Sequence, residues 1–406
     1  MFAVQYLQDG PHIPSLTPEQ VGARLRAAFE RLPLSAVLLG WHLPERLLHA
    51  CREETARHDA RLFRWHPLLT GDGTLMPKPA WQTVGLDGSV VPGFCNMPEF
   101  TFVCPNRPAV RDAVLAHLRQ IVRRGEYDGF FLDRIRYPSP AADPTRLLAC
   151  FCDDCRRVAA EEGLDLDGAR QRIVPLLSAR QGDRAPVRPG LAVQVLLDPT
   201  VSAHLTPELM ALRAVLDFRT RSITRFVRAA VDLIRGEGLA VGLDCFSPAL
   251  VAMVGQDLSA LAAHCDWIKV MSYGHVFGPA GLPFELLDLA DWLSGAGAMG
   301  ERDALAWLST ATRLPLPSTM RALRESGLSS YALADEIERA RRVGVKTVLA
   351  GVELVEIEGV CALDEAQITS DLRAMHAAGV DGLVLSWDLW HMPLERLDLV
   401  RSVWGG

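Results

Sequence analysis

Short apolar runs alternate along this chain with longer segments whose apolar positions recur at helical spacing. The first run covers residues 3–7, and Thr17-Pro18-Glu19-Gln20 then supplies an N-cap, a first-turn proline and a capping-box glutamine for a helix through Leu32. A second run over 36–40 ends at Trp41-His42 and precedes a helix over 44–58. A shorter third run, 61–64, ends at Trp65-His66, and a Gly- and Pro-containing excursion over 71–104 separates it from a helix over 108–124. The fourth run, Phe130-Phe131-Leu132, is opened by Asp128-Gly129 and closed by Tyr137-Pro138. It suits a strand buried on both faces that delivers Asp133 at its C-terminal end. An insertion over 139–216 follows, with an Arg-, Pro- and Gly-rich surface loop at 178–190, before a helix over 217–235. The alternation then resumes: strand 239–243 ending at Asp244, helix 258–264, and strand 267–271 ending at Ser272-Tyr273-Gly274-His275. A further insertion at 276–328 precedes helix 330–343. Strand 346–351 leads to Glu353, helix 364–378 to strand 382–386, and that strand to Trp387-Asp388 and a last helix over 394–404.

Eight strand-helix pairs in strict alternation predict one (β/α)8 TIM barrel over 1–406, with insertions after strands three, four and six. An open doubly wound sheet is the alternative, but no Gly-x-Gly-x-x-Gly follows any strand to give it a nucleotide site. Composition adds exclusions. Hydrophobic residues make up 49% and charged residues 22%, ordinary for a globular chain, and the net charge of −7 gives no general attraction to nucleic acid. No apolar run is long enough to span a bilayer, and with Met1 as the start there is no basic, apolar leader. The expectation is a cytoplasmic protein without membrane or nucleic-acid partners. Oligomeric state is left open.

In a barrel of this kind the C-terminal strand ends form one rim, where active sites lie. Here they carry the carboxyl groups Asp133, Asp244, Glu353 and Asp388. The aromatics and histidines Trp41, His42, Trp65, His66, Tyr273, His275, Trp387, Trp390 and His391 stand beside them. Polar residues end strands in most proteins, and Arg134 and Arg136 offer Asp133 an ion pair. Carboxylates mixed with ring faces, however, are what a saccharide site needs: acids for the glycosidic bond and flat apolar surfaces for sugar C–H groups.

The run from Asp128 to Pro138 resembles the fourth-strand signature of glycoside hydrolase barrels and is similar to the Asp-Gly-x-x-x-Asp-x-Glu-Tyr-Pro pattern of family 18 chitinases. Trp267-Ile-Lys-Val-Met-Ser-Tyr273 resembles the sixth-strand Met-x-Tyr of that family. Ile135 and Arg136 stand where those chitinases place their acid glutamate, so the substrate-assisted mechanism is not implied. Cys150-Phe-Cys152-Asp-Asp-Cys155, with Cys104 upstream, is similar to the zinc cluster of family 42 β-galactosidases. That resemblance implies a structural zinc on four thiolates. Cys95 is the alternative to Cys104 as fourth ligand, and no organic cofactor is expected. Buried thiols or a redox pair are the other reading of these cysteines.

The expected function is hydrolysis of a glycosidic bond in an oligosaccharide or glycoside. Asp133 is one carboxylate, and Glu353 is its partner because barrel glycosidases frequently pair acids on strands four and seven. Trp41, His42, Trp65, His66, Arg136, Tyr137, Asp244, Tyr273, His275, Trp387 and Asp388 are candidate substrate ligands. A Schiff-base lyase or aldolase using Lys269, and a carbohydrate-binding barrel without turnover, are the competing classes.

Overall fold

The computed structural model describes residues 1–8, 10, 12–178, 188–201, 206–295 and 299–404. Eight strands close into a barrel in chain order: β1 (Phe2–Tyr6), β2 (Ala36–Leu39), β3 (Arg61–Pro67), β4 (Gly129–Asp133), β5 (Ala240–Cys245), β6 (Trp267–Val270), β7 (Val348–Glu353) and β8 (Gly382–Ser386). All neighbours are parallel, and Ala3 is in register with Ala36 on one side and Val384 on the other, which closes the sheet. The TIM barrel read from the alternation is the observed fold.

The outer helices are α1 (Pro18–Arg31), α2 (Glu45–Arg57) and α3 (Pro108–Val122); α4 (Pro144–Leu147), α5 (Asp153–Glu161), α6 (Leu166–Leu177) and α7 (Arg188–Leu197) fill the insertion after β4. Then come α8 (Pro207–Arg235), α9 (Leu258–Ala262), the β6 insertion helices α10 (Leu282–Gly295), α11 (Glu301–Thr312) and α12 (Met320–Ser326), and α13 (Ser330–Arg342), α14 (Glu365–Ala377) and α15 (Glu395–Trp404). The capping box at Thr17 and Gln20 is present as the sequence predicts. Two boundaries differ in an instructive way. Helix α8 begins at Pro207 rather than near 217, because Thr206 caps it and its extra turns bury Leu209, Leu212 and Leu216 against the insertion helices. Strand β3 runs on to Pro67, which pairs with Asp133, so Trp65 and His66 lie inside the strand and face opposite ways. The Arg-, Pro- and Gly-rich loop falls mainly at 179–187, outside the described residues, and its last residues already belong to α7. Among the described residues no helix is long and apolar enough to cross a membrane.

Two apolar cores follow from strand alternation. The larger lies between sheet and helices. The smaller fills the barrel itself, from Ala3, Leu38, Phe63, Trp65, Phe131, Trp267, Leu349 and Val384. Its floor is aromatic: the Phe131 and Trp267 rings stack at 5.1 Å, and Phe63 meets Trp267 edge-on at 5.9 Å. Glycines make that possible. A Cβ on Gly129 would lie 2.4 Å from the Phe63 ring, and one on Gly242 would lie 2.1 Å from Trp267. Gly242→Ala should therefore overpack the barrel and cost about 1–3 kcal/mol, read as a lower urea midpoint with an unchanged slope. An unchanged midpoint would show that the indole has room to move.

Candidate active site

Above the aromatic floor the inward positions turn polar. Lys269 on β6 is fully buried, and its Nζ donates to Asp244 Oδ2 on β5 at 3.0 Å and to Gln5 Oε1 on β1 at 3.4 Å. The ammonium also lies 5.5 Å from the Phe131 ring and 5.1 Å from Tyr273. Gly351 makes the space, since a Cβ there would meet Lys269 Cε at 2.7 Å. Tyr273 donates to Ser386 Oγ at 3.0 Å. Burial opposes a charge on Lys269, but Asp244 and Tyr273 hold its ammonium above the ordinary lysine range. Burial pushes the Asp244 carboxyl up to about 7, against the pull of Lys269. Asp244 Oδ1 has no hydrogen-bond partner among the described residues.

On the neighbouring strand, Asp133 ends β4. The Trp65 indole N–H donates to its Oδ2 at 3.0 Å, and the Arg134 backbone N–H donates to its Oδ1. Arg134 takes a positive φ of 52°, and its guanidinium bonds Thr70 Oγ1 and the Glu99 carbonyl and lies 4.4 Å from the Phe100 ring. The Arg136 guanidinium is held between Phe102 and Phe246 and donates to the Tyr137 carbonyl. These groups open onto a cleft of about 230 Å³ lined by Trp65, Asp133, Arg134, Arg136, Asp244, Tyr273 and Trp387. Gln8, Phe100, Met271 and Val360 complete its walls with Gly278, Pro279 and Ala280.

Of the sequence-predicted residues, Asp133, Trp65, Arg136, Asp244, Tyr273 and Trp387 therefore share one cleft, and the others do not line it. Trp41 backs Trp65 edge-on at 5.3 Å. His42 is exposed, with Thr74 Oγ1 3.3 Å from its Nδ1. His66, on the outward face of β3, lies in a buried network in which Arg64 and His117 both reach Asp72; burial and Arg64 push its imidazole down to about 3, so it is neutral. Tyr137 lies under Arg219, whose guanidinium is 4.9 Å from its ring. His275 pairs with Asp371 at 3.1 Å, and its backbone N–H donates to Glu353 Oε1 at 3.0 Å. Burial pushes Glu353 up to about 7 against the opposing His275 charge. Asp388 accepts backbone N–H groups from Leu7 and Trp390 on one oxygen and from Gln8 on the other, tying the end of β8 to the end of β1.

Sequence reasoning missed Gln5 and Ser386 in the polar layer and Gln8, Phe100 and Met271 in the walls. Alternation from Ala3 would have placed Gln5 inward, and from Val384, Ser386. Phe100 had no such signal, because it sits in the long excursion.

The cysteines form a second centre. Cys104, Cys150, Cys152 and Cys155 are all buried, and their sulfurs lie within 4.8 Å of one another. Cys104 Sγ is 3.4 Å from Cys155 Sγ and 3.6 Å from Cys152 Sγ. Sulfurs on a tetrahedral ion with bonds of about 2.3 Å stand about 3.8 Å apart, so the cluster could hold a metal ion with little movement. The surroundings suit thiolates: the Val84 N–H and Asn106 Nδ2 donate to Cys150 and Cys155 at 3.3 and 3.4 Å, and the buried Arg219 charge acts on both. Cys95 is exposed and outside the cluster.

A closed, all-parallel (β/α)8 barrel is the class that this fold defines. The structure is similar to the PgaB (BpsB) glycoside hydrolase domain from Bordetella bronchiseptica, with a TM-score of 0.57 and 14% identity over 98% of this chain and 97% of that one. It is also similar to alpha-L-fucosidase isoenzyme 2 from Paenibacillus thiaminolyticus, with a TM-score of 0.50 and 12% identity over 100% of this chain and 48% of that one. No protein-family model matches the sequence, and no curated protein matches it significantly.

The geometry separates Asp388 from the cleft residues by experiment. Asp388→Ala should strand buried N–H donors at about 1–3 kcal/mol each, giving a large drop in thermal midpoint. A variant of parental stability would show that those donors find water.

Proposed function

We propose that this protein hydrolyses a glycosidic bond of a saccharide held in the Asp133 cleft. The observation that carries the reading is the convergence of two carboxyl groups, Asp133 and Asp244, with the side chains of Trp65, Tyr273 and Trp387 on one space at the C-terminal rim. Asp133, oriented by the Trp65 and Arg134 N–H groups, is the nucleophile or base. Asp244 carries the proton near neutrality and has an oxygen without a partner, so it is the acid that protonates the departing oxygen. Lys269 then stabilises the carboxylate left behind. Glu353, the partner favoured by sequence, titrates in the same range but is held at the His275 N–H and does not line the cleft; we assign it to positioning the loop after β6. A Schiff-base mechanism would need Lys269 neutral, and its contact with Asp244 supports hydrolysis over that alternative.

The cysteine cluster is proposed to hold a structural zinc, with Cys104, Cys150, Cys152 and Cys155 as thiolate ligands. Such an ion supplies folding energy and leaves no ligand position for substrate.

Screening aryl glycosides and oligosaccharides should reveal a cleaved substrate. On it, Asp133→Asn and Asp244→Asn should each remain folded and lose about 10²–10⁴-fold in turnover. Parental activity in Asp133→Asn would end the reading.

The pH profile gives the acid. A donor must be protonated to act, so with Asp244 as acid turnover is full below about 7 and falls as pH rises through that value. Glu353→Gln should keep this alkaline limb; its disappearance in that variant would transfer the acid role to Glu353.

Purified protein should also hold about one zinc per chain, and Cys152→Ser should lower both zinc content and melting temperature. A fully stable, metal-free preparation would exclude the zinc.

A further inference from the structure

A second cavity of about 200 Å³ adjoins the cleft and shares Phe100, Arg136 and Pro279 with it. It is built by the excursion after β3, the segment after β4 and helix α10, none of which belongs to the basic barrel. Its outer wall is aromatic: Phe94 meets Phe284 edge-on at 5.8 Å and Phe100 at 6.1 Å. Phe94 remains 39% exposed, which leaves a large ring face uncovered at the mouth.

Two carboxyl groups of α10, Glu285 and Asp288, also line the cavity, and Asp288 stands one helical turn from Phe284. Glu285 is fully engaged, accepting from the Ser139 hydroxyl and from the Ala280 N–H at 3.0 Å, so it is a structural wall. Asp288 is half-buried and makes no hydrogen bond or ion pair to a described residue, although burial already works against its charge. An uncovered ring face in one cavity with an unpartnered carboxyl matches a sugar unit, with its apolar C–H face and its rim of hydroxyl donors. Size points the same way. Ligand sites occupy roughly 300–1,000 Å³, which neither cavity reaches alone and the two reach together.

We infer that this cavity is a second saccharide subsite, in which Phe94, backed edge-on by Phe284, stacks on the sugar neighbouring the cleaved one and Asp288 accepts its hydroxyl groups. The inference rests on the hydrolytic reading above and narrows it: the substrate is an oligosaccharide that spans both cavities, rather than a glycoside of one sugar.

The test compares kcat/KM on a trisaccharide found by the screen with that on the aryl glycoside of its terminal sugar. The parent should prefer the trisaccharide, and the ratio of the two values should fall about tenfold in Phe94→Ala and in Asp288→Asn. Phe94 is exposed, so its truncation leaves the core intact, and circular dichroism confirms folding for both variants. A parent that treats the two substrates alike, or folded variants with the parental ratio, overturns the subsite. If no glycoside is cleaved, the hydrolytic reading fails by itself, and the subsite is judged by titration calorimetry of the parent with unlabelled di- to hexasaccharides of glucose, galactose and N-acetylglucosamine. Tighter binding with length that weakens about tenfold in Phe94→Ala supports it; no binding, or binding equal in the variant, removes it.

Discussion

The contact between Lys269 and Asp244 is the constraint around which the barrel interior is arranged. A lysine fully out of water is costly, and a buried ion pair often adds nothing to stability compared with apolar residues of equal volume. Here the pair is kept, and three other strands accommodate it: β1 supplies Gln5 as an acceptor, β4 the Phe131 face, and β7 the Gly351 gap. Its consequence is local. Lys269 sets the charge environment of the deepest carboxyl group in the cleft, and the aromatic floor formed by Phe63, Phe131 and Trp267 closes the barrel beneath it.

The walls of the cleft come from elsewhere in the chain. Phe100 arrives from the excursion after β3, and Gly278, Pro279 and Ala280 from the insertion after β6. Such segments carry few ladder hydrogen bonds of their own, so something must hold them. The cysteine cluster brings Cys104, at the end of the excursion, against Cys150, Cys152 and Cys155 after β4. Arg134 fastens the same excursion nearer the cleft, because its guanidinium bonds the Glu99 carbonyl and Thr70.

How much of this was legible depends on period. Strand-helix alternation announced the barrel because each buried strand is a short apolar run and each crossover needs a helix. It also placed Asp133, Asp244 and Glu353 at strand ends, where the structure has them. Side-chain direction was less legible. Successive residues in a strand point to opposite faces, so of Trp65 and His66 only the first enters the cleft, and the second joins Arg64 and Asp72 between sheet and helices. Ending β3 at Arg64 concealed that alternation. The walls were illegible for a different reason: nothing periodic marks Phe100 or Pro279, whose positions depend on packing between insertions distant in sequence.

Burial alone does not distinguish the carboxyl groups of this rim, since Asp133, Asp244, Glu353 and Asp388 are all nearly inaccessible. What distinguishes them is how many acceptor positions are engaged. Asp388 has both oxygens on backbone N–H groups and acts as a clamp between the last strand and the first. Glu353 accepts the His275 backbone N–H, and the His275 side chain pulls against the burial that raises its carboxyl. Asp244 alone among these four has a buried oxygen with no partner among the described residues. A buried acceptor without a donor costs free energy that a purely structural residue would relieve by a small rotation or by substitution. Its retention beside a cleft, with Lys269 fixing the other oxygen, is expected of a group whose partner is supplied by what binds there.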